Sequence, residues 1–291
     1  MENTVQIQIL PEQIEDLGLI FFQANEKNGT SEKDFPYCYI RKRSIDARKK
    51  PVKYNLQVVL SKEPIEPEID KIEYSSVEGN PTIHIIGAGP AGLFAALEAI
   101  ELGFKPIIYE RGKDVRERRR DLAKLNKEHI VNPESNYCYG EGGAGTYSDG
   151  KLYTRSKKRG NVLKVLERFV QFGAPYDILV DAHPHIGTNK LPKIITSMRE
   201  TIFAAGGEVH FNSKLTDIEI HDQQIRGIEI NGEEKIEVEH LILATGHSAR
   251  DIFYLLHDKK VKIEAKGFAL GVRVEHSQEI IDKIQYHGRQ N

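Results

Sequence analysis

Tryptophan is absent from the 291 residues, and cysteine and methionine occur only twice each. Cys38 and Cys138 are too few and too far apart for a disulfide framework or a cysteine zinc site. They fit a reducing, cytoplasmic setting. No C-x-x-C or C-x4-C pair occurs, which argues against the flavin reductases that work through a disulfide beside the ring. No apolar run approaches the ~18 residues of a membrane span. The opening Met1-Glu2-Asn3-Thr4 has neither a basic start nor an apolar stretch, so no secretory signal is read. The formal charge is −2, so nothing biases the whole chain toward nucleic acid or acidic membranes. No internal repeat, low-complexity tract, metal-ligand spacing or hydrolytic Ser/His/Asp arrangement is evident. The 39% hydrophobic and 29% charged composition is that of an ordinary globular protein.

What the chain does have is concentrated at residues 82–110. Ile83, Ile85 and Ile86 form a short apolar strand. Gly87, Gly89 and Gly92 follow in G-x-G-x-x-G spacing, with Pro90 and Ala91 between them. Leu93 to Leu102 reads as a helix stopped by Gly103, and Pro106 to Tyr109 as a second strand ended by Glu110. This order is that of a dinucleotide-binding βαβ unit. Gly87 allows a tight turn, Gly89 lets a pyrophosphate reach the backbone, and Gly92 lets the helix pack on the strand. The helix N-terminus offers N–H groups and partial positive charge to phosphates. Glu110 is spaced to accept from ribose hydroxyls. On this reading Glu110→Ala weakens cofactor binding and leaves the fold intact. Arg111, next in line, is a candidate for adenine or ribose contact.

Before this unit, Val5–Leu10, a helix from Pro11 to about Asn25, and strands at Tyr37–Ile45 and Val52–Leu60 suggest a small βαββ unit. Residues 63–81, with three prolines and several acids, read as a linker. Arg41 to Lys53 is rich in Lys and Arg. Without interleaved aromatics it reads as a solvated hairpin edge guarded against aggregation rather than an RNA-binding face. Beyond the βαβ unit come a charged helix at 113–128 and a long glycine-rich loop at 133–155. The arginines of that helix, Arg116 and Arg118–Arg120, alternate with Asp114, Glu117 and Asp121 and read as a solvated, ion-paired face. Helices near 160–172 and 190–205 flank a strand at Tyr176–Val180, and a further strand lies at Glu208–Phe211. Leu215–Ile220, Ile225–Ile230 and Lys235–Val238 form a β-meander, and Leu241–Ala244 is a buried strand ending in Thr245-Gly246.

In the glycine-rich loop, Gly140, Gly142, Gly143 and Gly145 around Ala144 can form a nest of backbone N–H groups for a pyrophosphate or ribityl chain. Thr146 and Ser148 add hydroxyls, and Lys151 is a candidate cation for the redox end of a bound cofactor, where positive charge would stabilise a reduced, anionic form. Cys138, His183, His185 and His247 are noted, but no catalytic residue is assigned. The sequence runs Gly87-Ala-Gly-Pro-Ala-Gly-Leu-Phe-Ala-Ala, Glu110-Arg-Gly, Tyr139-Gly-Glu-Gly-Gly-Ala-Gly-Thr-Tyr-Ser-Asp-Gly-Lys-Leu152, Pro184-His-Ile-Gly187 and Ala244-Thr-Gly-His-Ser-Ala-Arg-Asp251. Together they resemble the uncharacterised FAD-dependent dehydrogenases of bacteria, within the glutathione-reductase-like flavoproteins.

The resemblance spans roughly residues 5–286. It implies an FAD-binding Rossmann-like α/β domain with a β-meander, preceded by a small α+β domain. It also implies hydride transfer through flavin N5, an unidentified small-molecule substrate, and NAD(P)H as a candidate electron donor. The domains are then 1–75, 76–260 and 261–291, the last opening a substrate sheet with a strand at Gly267–Glu275 and a helix at Gln278–Tyr286. Family members continue past this point, so the chain is expected to be an N-terminal portion. On that basis it holds the ADP half of a cofactor site but little coupled activity. The alternatives are NAD as the dinucleotide, a non-enzymatic dinucleotide- or RNA-binding module, and an inactive fragment of the flavoenzyme.

Overall fold

The computed structural model describes residues 2–65, 69–154, 160–187, 189–267, 269–272 and 274–286. By internal contacts the chain divides into Met1–Leu255 and Leu256–Asn291.

The first unit opens with β1 (Glu2–Ile9), whose alternate residues Val5, Ile7 and Ile9 are buried. A 3-10 turn at Pro11–Gln13 follows, so the helix predicted from Pro11 begins later, as α1 (Leu17–Asn28). Asp16 sets the start by accepting from the Leu19 N–H at 2.9 Å, the usual N-cap contact. Strands β2 (Tyr37–Asp46) and β3 (Lys53–Ser61) complete an antiparallel sheet in the order β1-β3-β2. Ile20 and Ala24 of α1 close its apolar face. The basic hairpin is partly committed to ion pairs. Arg43 binds Asp181 at 2.6 Å and Arg48 binds Asp46 at 2.6 Å.

Ahead of the βαβ unit, Asp70 and Ile72 are tethered to the helix at Val162–Gln171. Gln171 bonds Ile72 in both directions and the buried Arg168 donates to the Asp70 carbonyl. The βαβ unit follows as β4 (Thr82–Ile86), α2 (Pro90–Glu101) and β5 (Lys105–Tyr109). Then come α3 (Val115–Glu128), a 3-10 turn at Gly143–Gly145, α4 (Val162–Gln171), α5 (Asp177–Val180) and α6 (Leu191–Ala204). The predicted strand at Tyr176–Val180 is therefore a helical turn. Residues 176–180 join no ladder among the described residues, the chain bridging β2 only afterwards at Asp181, and Ile178 and Leu179 donate back to Pro175 and Tyr176. Strands β6 (Glu208–His210), β7 (Leu215–His221), β8 (Gln224–Ile230), β9 (Glu234–Glu237) and β10 (Leu241–Leu243) follow, then α7 (Arg250–Asp258).

β7-β8-β9 is the antiparallel meander, and the parallel sheet runs β10-β4-β5-β6. The order carries function. The chain builds outward from β4 through β5 and β6, then returns to the other side of β4 as β10. Such a reversal opens a crevice beyond the strand ends. Helix α6 covers the sheet core with Leu191, Ile194, Ile195, Met198 and Ile202, a 3.6-residue stripe.

In the second unit α8 (Gln278–Tyr286) forms as predicted, whereas the strand predicted at Gly267–Glu275 does not. Phe268 and Arg273 lie outside the described residues, and the rest of that segment carries no strand. A strand needs a ladder partner, and none lies beside this segment among the described residues.

Candidate functional site

A cavity of about 330 Å³ sits at the reversal point, with Ile86, Tyr109 and Leu243 at the ends of β4, β5 and β10 in its wall. Gly87 turns the chain at φ 103°, and a Cβ there would stand 2.6 Å from the Ala244 carbonyl oxygen. Gly92 packs harder still, since its Cβ would fall 1.8 Å from the Gly87 oxygen. These two residues let α2 sit against the strand ends. Gly89 is the N-cap of α2 without a side-chain cap, and Pro90 opens the first turn. The helix therefore aims unfilled N–H groups and its positive dipole end at the cavity.

Of the residues singled out from the sequence, Gly87, Gly89, Pro90 and Ala91 line the cavity from the first loop. Gly143 and Ala144 line it from the glycine-rich loop, Glu110 and Arg111 from the end of β5, and Thr245 and Gly246 from the segment after β10. The two glycine loops meet where Gly143 packs on Gly89 and Pro90. The remaining residues act elsewhere. Gly92 is buried under the turn. Gly142 donates its N–H to the Ala88 carbonyl at 2.8 Å, which locks the two loops together. Thr146 is buried and bonds the Glu141 and Gly143 carbonyls. Gly145 and Ser148 are exposed, away from the cavity wall. Lys151 is exposed and paired with Asp149. His183 and His185 are exposed beside it, on a short ladder with residues 150–152.

Glu110 is 5% exposed and accepts three backbone N–H bonds, from Ala88 (2.8 Å), Gly112 (2.8 Å) and Gly140 (3.0 Å). It thus ties both glycine loops to β5. A carboxylate has about four acceptor positions, so one remains for a ligand hydroxyl. Arg111 lies over the Tyr139 ring at 4.2 Å and pairs with Glu134 (2.5 Å) and Asp251 (2.9 Å). Lys214 joins the same group, 2.9 Å from Glu134. Burial pushes the two carboxyls up, but their bonds to these cations win and hold both below the ordinary range. Tyr139 donates to the Ser248 carbonyl at 2.8 Å, joining the glycine-rich loop to the segment after β10 across the cavity wall. Under the β5 end, Tyr109 stacks between His84 and His210, and burial pushes its hydroxyl up to about 12.

Two buried charges were missed in the sequence. Arg118, fully buried, donates to the Asn136, Tyr137, Gly140 and Glu141 carbonyls and to the Thr146 hydroxyl. It is the post on which the glycine-rich loop is wound. The signal was its place with Val115 and Leu122 on one helical stripe, where a solvated arginine does not belong. Glu141, also fully buried, accepts from the Val115 N–H and from Arg199, both at 2.8 Å. Its other oxygen has no partner among the described residues. Burial pushes its carboxyl up to about 7 against those two bonds. Cys38 and Cys138 are both free, and only Cys138 reaches the cavity.

Fold and site together define a Rossmann-like nucleotide-fold domain of the two-glycine-loop kind. Residues 81–252 match the family described as pyridine nucleotide-disulphide oxidoreductase, and the chain belongs to that family, though it carries no paired cysteines. Residues 1–61 match a family described as a domain of unknown function, DUF8436. An uncharacterized protein of Clostridium beijerinckii is 40% identical over 294 aligned residues, covering 95% of this chain and 55% of its own length. The chain thus spans about half the length of that relative. Among solved structures, THI4 of Thermovibrio ammonificans aligns at 19% identity and TM-score 0.42, over 64% of this chain and 63% of that one. A 3-ketosteroid-Δ4-(5α)-dehydrogenase of Rhodococcus jostii RHA1 aligns at 13% identity and TM-score 0.37, over 60% and 49%. No described helix is long and apolar enough to cross a membrane.

Proposed function

We propose that the chain is the FAD-binding part of an oxidoreductase and that the cavity at the β10–β4 reversal takes the adenosine diphosphate half of FAD. One observation carries this reading: an uncapped α2 N-terminus, two glycine loops in contact and a buried acid converge on a single crevice. Its volume of about 330 Å³ is at the small end of the ~300–1,000 Å³ typical of cofactor pockets, which suits ADP better than a whole flavin dinucleotide.

The pyrophosphate sits against the α2 N-terminus, where Ala91 and Gly92 present N–H groups and Gly89 and Gly143 leave the backbone bare. Glu110 uses its remaining acceptor position on a ribose hydroxyl. Arg111, already fixed over Tyr139 and between two carboxylates, borders the adenosine end and keeps its orientation without cost on binding. FAD, when bound, supplies hydride exchange between a small-molecule substrate and a nicotinamide nucleotide. The meander and the second glycine loop favour FAD over NAD at this site. Both cysteines are solitary, so the reading includes no disulfide step.

Gly89→Ala tests it. Gly89 has φ −72°, and a Cβ there would lie 3.9 Å from its nearest neighbour, Gly143 Cα. The variant therefore folds normally while placing a methyl where the pyrophosphate must approach. Unfolding curves that superimpose on the parent, with FAD affinity reduced tenfold or more, are the expected result. Unchanged FAD affinity would place the pyrophosphate elsewhere.

A further inference from the structure

A second concavity, of about 760 Å³, lies between the first turns of α3 and the length of α6. It shares no lining residue with the cavity at the β10–β4 reversal. Its cations are Arg116 and Arg119 from α3 and Lys193 and Arg199 from α6, and its rings are Tyr147, whose hydroxyl is tied to the Val115 carbonyl, Phe203 and Phe211.

The charges are not mutually neutralised. Asp114, on the groove's edge, caps α3 by accepting from the Arg116 and Glu117 N–H groups and keeps its charge, but is ion-paired to none of the four cations among the described residues. Asp121 pairs with Lys113 at 3.0 Å. Glu141 and Glu200 both bind Arg199, at 2.8 and 3.2 Å. Arg116, Arg119 and Lys193 are left without an ion-pair partner among the described residues, around one groove, in a chain whose net charge is −2. Phe203 is 41% exposed in the same groove, and the Arg199 guanidinium stands 5.8 Å from the centre of the Phe211 ring. Forked guanidinium donors suit phosphate oxygens, and exposed aromatic rings suit a flat heterocycle. The two halves of the lining therefore ask for one molecule that is anionic at one end and aromatic at the other.

We propose that this groove binds a nucleotide, with phosphates on Arg116, Arg119 and Lys193 and the base against Phe203 and Phe211. The site is separate from the proposed flavin cavity and does not depend on it. Calorimetric titration with ADP, and with inorganic phosphate, tests it on the parent, on R116Q/R119Q, on F203L and on G89A. Both arginines are exposed and make no side-chain hydrogen bond or ion pair among the described residues, so the double variant keeps the parent's unfolding curve. The parent is expected to bind two equivalents of ADP. R116Q/R119Q loses one of them, with at least a tenfold fall in affinity at that site, and G89A loses the other. F203L weakens ADP several-fold at the groove and leaves phosphate binding there unchanged. If the flavin-cavity reading alone fails, the parent binds one equivalent and R116Q/R119Q abolishes it. If R116Q/R119Q retains every equivalent the parent binds, the groove is not a nucleotide site. If F203L leaves ADP unchanged, the ring contact is wrong.

Discussion

Replacing Arg118 with Met is expected to loosen the glycine-rich loop and destabilise the protein by about 3–5 kcal/mol. The side chain is fully buried and makes five hydrogen bonds. Met keeps most of the volume and removes every donor. Two acceptors retain other partners, since the Gly140 carbonyl also receives the Gly143 N–H and the Glu141 carbonyl receives the Thr146 hydroxyl. The Asn136 and Tyr137 carbonyls are left with no donor. An orphaned buried acceptor costs ~1–3 kcal/mol, and these two are only partly buried, which places each near the low end. The three other bonds, to the Gly140 and Glu141 carbonyls and to the Thr146 hydroxyl, which still donates to two carbonyls, add about 0.5–1 kcal/mol each. With no tryptophan in the chain, far-UV circular dichroism in urea is the suitable readout. Arg118→Lys keeps the charge but not the fork, and should fall between Met and the parent. A loss under about 1 kcal/mol for Met would mean that the loop does not hang on this residue.

Further outcomes follow from the same geometry. Glu110→Ala strands three backbone N–H groups, so denaturant unfolding should show ~2–5 kcal/mol of lost stability, contrary to the retained fold that the ribose role alone suggests. Gly92→Ala should fail to give soluble folded protein, because its Cβ has no room, whereas Gly89→Ala should behave like the parent in gel filtration. Glu141 titrates near 7 when folded against an ordinary value of 4.5. Between those pH values the folded state holds a proton that the unfolded state has released, so stability falls as pH rises through the window, by up to about 3 kcal/mol. Glu141→Gln should flatten that fall in thermal melts taken from pH 4.5 to 8, and an unchanged slope would mean that another group is responsible.

The βαβ unit and the meander were readable because their signals are local. Glycine spacing, an apolar strand and alternating residues each state their own geometry. The glycine-rich loop was readable as a loop that reaches the crevice but not residue by residue. A nest reading treats every glycine as facing the ligand, whereas Gly142 turns its N–H to Ala88 and Thr146 turns inward to the Arg118 guanidinium. Arg118 itself was hidden by its neighbours. Four arginines among acids suggest a wet surface, and only the stripe it shares with Val115 and Leu122 reveals the burial. Residues 176–180 have strand-like composition but no partner in the sheet, and tertiary context made them a helical turn. The partners of Arg111, at positions 134 and 251, come from distant segments that no local pattern connects.

The central claim is that the crevice between β10 and β4 recognises the adenosine diphosphate half of a flavin dinucleotide. Displacement of FAD, followed by flavin fluorescence, tests it most directly. ADP should displace FAD completely, with an affinity within about two decades of FAD's own, roughly 3 kcal/mol, while FMN, which carries the flavin ring without the adenosine, should displace none. Displacement by FMN and not by ADP would contradict the account.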